Sequence, residues 1–289
     1  AHAWYLTACA RTALGDDAAA EPALRRCVAL VPDRAIGWYN LGCVLQRLGR
    51  LDEALDSFTR ATEVEPDHAD AWINRGRLLD DAGEHEGALA CYDTALEVTP
   101  DDVVALTNRG NSLKALGRFE DALASYDAAI EADGSFTKAF LGASECHLAL
   151  GAHETALDAA DGGLATGPDD PASEARGHCA RGMALSGLDR HAEAVAAFER
   201  ALELSPAEPA LHNNRGEALV KLGRFEDALA AFDAGLAVDS GYAPLHFGRS
   251  RALMLSGRLP EAADALRRFL ALAGDADSHA ATAREWLAM

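Results

Sequence analysis

The chain has three lysines (Lys114, Lys138 and Lys221) and three methionines in 289 residues, and only 6% of it is aromatic. Arginine and lysine together number 26 against 46 acidic residues, a net charge of −20. A surface so poor in positive charge repels phosphate backbones, which excludes a nucleic-acid partner unless a basic groove survives locally. No apolar run approaches the ~18 to 20 residues that cross a bilayer as a helix, so a membrane-spanning protein is excluded. The six cysteines, Cys9, Cys27, Cys43, Cys91, Cys146 and Cys179, form no CxxC pair and no zinc spacing. At this density they read as free thiols in a reducing compartment, not as a disulfide framework. The motifs of chemistry are missing as well: no G-x-S-x-G, no phosphate-binding loop, no H-E-x-x-H and no Gly-rich dinucleotide loop. No catalysis, cofactor or metal is expected. The chain begins at Ala1 without a signal peptide, so a cytoplasmic location is expected unless an upstream targeting segment has been removed.

The acid is unevenly spread. Residues 52–102 hold 15 acidic and 3 basic side chains. Solubility accounts for that excess, and so does a basic partner near the stretch.

What the chain has in abundance is a period. Trp4, Trp38 and Trp72 are 34 residues apart, as are Gly15, Gly49, Gly83, Gly117 and Gly151, and Ala20, Ala54, Ala88, Ala122 and Ala156. Pro32, Pro66 and Pro100 close the units. After an insertion at Pro171–Glu174 the register resumes with Arg181-Gly182 and Arg215-Gly216. Eight units, that insertion and a tail from Asp277 account for all 289 residues. Within 69–102, Trp72, Leu79, Leu89, Tyr92 and Leu96 recur at helical spacing on either side of Gly83, which predicts two helices per unit. Gly83 suits the left-handed residue that ends the first, and Pro100 stops the second. A hairpin of this size cannot bury its apolar face alone, so neighbours must stack.

These residues resemble the tetratricopeptide repeat (TPR) family. Repeat 35–68 carries the pattern throughout: Trp38, Leu41, Gly42, Leu45, Ala54, Phe58, Ala61 and Pro66. A pentatricopeptide RNA-binding array has a similar hairpin, but its 35-residue period and the charge count against it. The resemblance implies an all-α fold, an α-solenoid of eight 34-residue hairpins wound as a right-handed superhelix. The repeats fall at 1–34, 35–68, 69–102, 103–136, 137–170, 175–208, 209–242 and 243–276. Residues 277–289 read as a capping helix with Asp277 or Ser278 as N-cap and Ala283, Trp286 and Leu287 on its buried face. Repeat 137–170 departs most from the pattern, with Ser144, Ala160 and the pair Gly162-Gly163 inside its second helix. That loss of helix propensity predicts a weak joint beside the insertion, between 1–136 and 175–276; a merely lengthened loop is the alternative.

In the family, the first helix of each repeat lines a concave face that holds peptides through repeat positions 2, 5, 6, 9, 12 and 13. Carried onto this chain, position 6 holds Asn40, Asn74, Asn108 and Asn214. An Asn amide both donates and accepts, so one per repeat could satisfy the backbone of a strand-like peptide; bonding within the scaffold is the alternative. Gly142, Ala180 and Gly248 interrupt the ladder. Around it lie Ile36, Tyr39, Arg47, Arg77, Asn111, Lys114 and Lys138, with Asp80 in the same face and Phe247 in the last repeat. Of the Lys/Asn clamp by which some TPR co-chaperones hold a terminal carboxylate, only Asn108 and Lys138 are present. His178, His212 and His246 recur at position 4, about one helix pair apart, on the order of 10 Å; that is too far to share an ion with bonds near 2 Å, so packing is the better role. The arginines at position 7 (Arg75, Arg109, Arg181, Arg215, Arg249) are expected to pack their stems between helices.

Function is therefore expected to be protein binding: a scaffold or adaptor that takes a partner peptide or subunit in its groove, a basic partner being one reading of the acid-rich stretch. The alternatives are the substrate-recognition portion of a longer enzyme, or a self-assembling homo-oligomer.

Overall fold

A computed structural model describes residues 1–168, 170–274 and 277–288. The ends of the fifth and eighth expected repeats and of the tail, at 169, 275–276 and 289, lie outside the described residues. Among the described residues there is no strand, and seventeen α-helices follow one another. The chain divides into two compact units, Ala1–Gly134 and Ser135–Met289. The first holds α1 (His2–Ala13), α2 (Asp17–Leu30), α3 (Ala35–Arg47), α4 (Leu51–Val64), α5 (Ala69–Asp81), α6 (His85–Val98), α7 (Val103–Ala115) and α8 (Phe119–Ala132). The second holds α9 (Thr137–Ala149), α10 (His153–Ala165), α11 (Pro171–Gly187), α12 (His191–Leu204), α13 (Pro209–Lys221), α14 (Phe225–Val238), α15 (Ala243–Leu255), α16 (Leu259–Leu272) and α17 (Ala280–Ala288). Within each unit every odd helix up to α15 packs on the even helix after it, and that helix packs on the next odd one.

The hairpins form for a local reason. At the α5–α6 turn the Gly83 N–H donates to the Asp80 carbonyl at 2.9 Å and the Glu84 N–H to the Leu79 carbonyl at 2.8 Å. This closure needs a left-handed residue, and Gly83 has φ +80. The α11–α12 turn solves the same problem with a costlier residue, Asp189 at φ +57.

Packing inside a hairpin is set by one glycine against one ring. A Cβ on Gly42, Gly76 or Gly110 would lie 2.7, 2.8 or 2.6 Å from the ring of Phe58, Tyr92 or Tyr126. Gly182 and Gly216 stand the same way against Phe198 and Phe232. All five rings are essentially inaccessible. In the α9–α10 hairpin both partners change together: Ala160 replaces the ring, and Ser144 replaces the glycine and donates to the Ala156 carbonyl at 2.8 Å.

Two expectations are corrected in the second unit. The insertion Pro171–Glu174 is not a longer loop but the first turn of α11, which runs 17 residues. Asp170 caps it, accepting from the Ser173 N–H at 2.8 Å and the Ser173 hydroxyl at 2.7 Å, and Pro171 takes the first turn, where its missing N–H costs nothing. Nor is the pair Gly162-Gly163 a flaw: a Cβ there would lie 2.9 or 3.1 Å from Phe140, so the glycines admit that side chain against α10. The two units divide at Gly134/Ser135, two residues before the end of the expected first block 1–136 and one helix pair before the insertion.

At the end of the second unit, α17 covers Phe247 and Phe269. Ala283 is buried, and Trp286 and Leu287 pack on the same cluster, with the Trp286 ring stacked on Phe247 at 5.4 Å. The helix starts at Ala280, two residues after the expected cap. Asp277 instead folds a tight turn just before it, accepting from the His279 N–H at 2.8 Å.

Candidate functional site

In the first unit the asparagines expected to face a peptide stand in a row on α3, α5 and α7, half-buried in each case. Two of the three are tied to the preceding repeat. The Asn40 amide nitrogen donates to the Tyr5 hydroxyl at 3.2 Å, and the Asn74 nitrogen to the Tyr39 hydroxyl at 3.4 Å. Asn108 follows Ile73, which has no hydroxyl to offer. Each bond uses one donor of the amide and leaves its carbonyl oxygen an acceptor. Tyr39 is wedged against Phe58 and His68, with ring centroids 5.9 and 4.8 Å away. Burial, then the neighbouring Cys43 and Asp70, push its phenol up to about 12, so it stays a neutral donor.

The expected cations of this face are largely spoken for. Arg47 grips Asp17 with both arms, at 2.7 and 2.8 Å. The Arg47 guanidinium holds the Asp17 carboxyl below the usual range. Arg77 donates to Gln46 at 2.8 Å. Asn111 accepts from the Tyr126 hydroxyl at 2.8 Å, while Ile36 stays exposed and Lys114 partly exposed. Asp80 is withdrawn from the face. It accepts from Tyr92 at 2.9 Å and from the buried Ser112 hydroxyl at 2.7 Å, and pairs with His85 Nδ1 at 2.9 Å. That knot joins α5, α6 and α7, and burial and the Asp80 charge drive the Tyr92 phenol upward.

In the second unit Asn214 is half-buried and Lys138 exposed. Lys138 helps hold the Asp170 carboxyl below its usual range, after the Ser173 hydrogen bonds that do most of it. Phe247, expected on the binding face, is covered by α17. Arg176 is paired with Glu145 at 2.6 Å, and Arg251 with Glu217. Beside the Arg176–Glu145 pair, Leu148, Cys179 and Met183 line a cleft of about 360 Å³. Burial lifts the Cys179 thiol to about 11, so it is an unreactive thiol. Among the described residues no group of three or more potential ligands could hold a metal ion, and no helix is long and apolar enough to cross a membrane.

Tetratricopeptide repeat models match residues 1–34, 39–103, 107–171, 179–244 and 215–277. The chain belongs to the tetratricopeptide repeat family. Solved TPR structures share its fold. YrrB, described as a TPR protein with an unusual peptide-binding site, is 24% identical over 67% of this chain and 97% of its own, with a TM-score of 0.53. A TPR protein from Parabacteroides merdae is 18% identical over 88% of this chain and 97% of its own, with a TM-score of 0.66. The Cut9–Hcn1 hetero-tetramer of the APC/C matches at 17% identity over 93% of this chain and 52% of the other, with a TM-score of 0.67. No curated protein matches the sequence.

Two features of this TPR array escaped the sequence. The ring at position 4 is a hydrogen-bond donor as well as a packing residue. Trp38 Nε1 donates to the Pro32 carbonyl at 2.9 Å and Trp72 Nε1 to the Pro66 carbonyl at 2.8 Å. His212 Nε2 meets the Pro206 carbonyl at 3.1 Å and His246 Nε2 the Ser240 carbonyl at 3.0 Å, which requires the proton on Nε2. Histidine thus replaces tryptophan because it reproduces one N–H at the same place. Four of the five arginines at position 7 do more than pack: Arg109, Arg181, Arg215 and Arg249 reach Asp93, Asp161, Glu199 and Asp233 at 2.6 to 3.0 Å, on the second helix of the preceding repeat. The acids stand at one fixed repeat position, so the pairing was written in the 34-residue register but needed the stacking to be seen. Arg75 has Thr59 at that place and lies over the Trp72 ring instead, 5.2 Å from its centroid.

Proposed function

We propose that the chain is a protein-interaction scaffold without catalysis of its own, and that its first unit holds an extended partner segment across Asn40, Asn74 and Asn108. The observation that carries this reading is the state of the three amides. Two are fixed by Tyr5 and Tyr39 through a single donor, and all three keep an acceptor for a peptide N–H. Pre-oriented side chains lower the ordering cost of binding. The reading extends to the layout of eight repeats with a terminal cap, and to a role beside other subunits, in keeping with a family of scaffolds. Arg47, its charge engaged by Asp17, fixes the rungs' surroundings, and Arg77, steadied by the neutral Gln46 amide, brings its charge to the partner. Asn111, Lys114 and Ile36 flank the row; Asn214 and Lys138 would serve a separate contact on the second unit.

The test replaces Asn40, Asn74 and Asn108 together with Ala and measures partner capture and titration. Circular dichroism should be unchanged, while affinity drops at least about tenfold, the loss of roughly one unpaired buried polar group. Unchanged affinity would sink the reading.

A further inference from the structure

The inter-repeat loops of the first unit carry a pattern that the asparagine face does not explain. Helices α2, α4 and α6 each end on an aliphatic residue, Leu30, Val64 and Val98, and three residues later stands Asp33, Asp67 or Asp101. The aliphatic side chains are 49, 36 and 41% exposed, and Ile36 and Val104, near the starts of α3 and α7, are 41 and 44% exposed. The loops become more acidic along the unit. Segment 29–36 has Asp33 beside Arg34; 63–70 has Glu63, Glu65, Asp67 and Asp70, and 97–104 has Glu97, Asp101 and Asp102, with no Lys or Arg in either. Glu63 is paired with Arg60, but Glu65, Asp67 and Asp101 make no ion pair among the described residues. At the Arg34 end a cleft of about 450 Å³ opens between Tyr5, Val31, Ile36 and Val64, deep enough to take an apolar side chain.

We propose that this loop edge docks a basic, extended partner segment bearing an aliphatic side chain at every third residue. The inference rests on the scaffold reading and adds a second contact, on the loops, to the one across the asparagine row. Equivalent positions of successive repeats lie on the order of 10 Å apart, which a segment in the extended polyproline II conformation covers in one turn of three residues at about 3.1 Å each, every third side chain falling on one face. Aliphatic anchors at that spacing meet the column Leu30, Val64 and Val98, and lysines or arginines between them meet Glu65, Asp67 and Asp101. A second copy of this chain is a poor occupant, because at net −20 it brings more carboxylates than bases.

The probe is a labelled nonapeptide with Leu at its second, fifth and eighth positions and Lys elsewhere, titrated by fluorescence anisotropy against the full chain at low salt. Saturable binding is expected, weakened at least about tenfold by Glu65→Gln/Asp67→Asn/Asp101→Asn and steeply by salt. Val64→Thr/Val98→Thr, which keeps side-chain shape, should weaken it as well with an unchanged circular dichroism spectrum, while Asn40→Ala/Asn74→Ala/Asn108→Ala leaves it intact. Absence of saturable binding overturns the inference, as does equal binding of a Leu-scrambled or a Glu-for-Lys peptide. Loss of binding in the asparagine variant alone overturns the loop-edge site and keeps the scaffold reading; no effect of either loop-edge variant overturns the loop-edge site and leaves the asparagine row to its own partner-capture test. A dimer seen by light scattering that Val64→Thr/Val98→Thr abolishes would make the occupant a second copy and overturn the basic-segment assignment.

Discussion

Gly110 and Tyr126 occupy one volume between them: a Cβ on the glycine would sit 2.6 Å from the ring. Gly110→Ala should therefore destabilise the first unit by about 1 to 3 kcal/mol, the range for overpacking a filled core, as measured by urea melts. Asp189 presents the reverse case. It holds φ +57 with its side chain almost fully exposed, where each of the other seven hairpin turns places a glycine. Asp189→Gly should raise stability by about 0.5 to 1 kcal/mol, most of the cost of left-handed backbone for a residue with a Cβ. A lower melting midpoint would show that the His191 contact at 3.4 Å matters more than the backbone. Residue identity alone showed both glycine and ring at fixed places, but not that they touch: that needed the hairpin to close.

At the scale of the helix, α11 shows how an apparent irregularity becomes structure. Its four extra residues supply Ser173, which bonds the capping Asp170 just ahead of them, and a glutamate that reaches His178 at 3.8 Å and Arg200 at 3.7 Å. Deleting Pro171–Glu174 should lower the stability of the second unit by about 1 kcal/mol or more, the usual worth of a cap. Hydrogen exchange is the measurement: faster exchange confined to α10–α12, with α3–α6 unchanged, is the expected result. The sequence made the two helices of each repeat legible through period and turn glycines. It read Gly162 and Gly163 only as a loss of helix propensity, whereas contact with Phe140 requires them. The site was legible only in part. The asparagine row was visible as a register, but the bonds to Tyr5 and Tyr39 join residues 35 positions apart, and Asp80 looked like a groove residue until Tyr92 and Ser112 claimed it.

Over the whole molecule, stability resides in neighbour contacts within each unit, so local changes should stay local. Trp286 is the check on this. Its ring stacks on Phe247 and closes the last apolar surface of the second unit. Trp286→Ala should cost that unit about 2 kcal/mol, less than for a fully buried tryptophan, and leave the exchange rates of α1–α8 as they were. Uniform loss of protection across all helices would mean that the chain melts as one body. The net charge and its excess over 52–102 were readable from the sequence; which loop carboxylates stay without an ion pair was not, because that depends on which ones the arginines have already engaged.

The interchange of Trp and His at position 4 has a practical result. Trp4, Trp38 and Trp72 all lie in the first unit, and the later repeats, having turned to histidine, leave Trp286 as the sole indole of the second. The protein thus carries its own optical labels. Emission from a chain with Trp4, Trp38 and Trp72 replaced by Phe would follow the docking of one short helix on Phe247, a single event at the far end of the sequence.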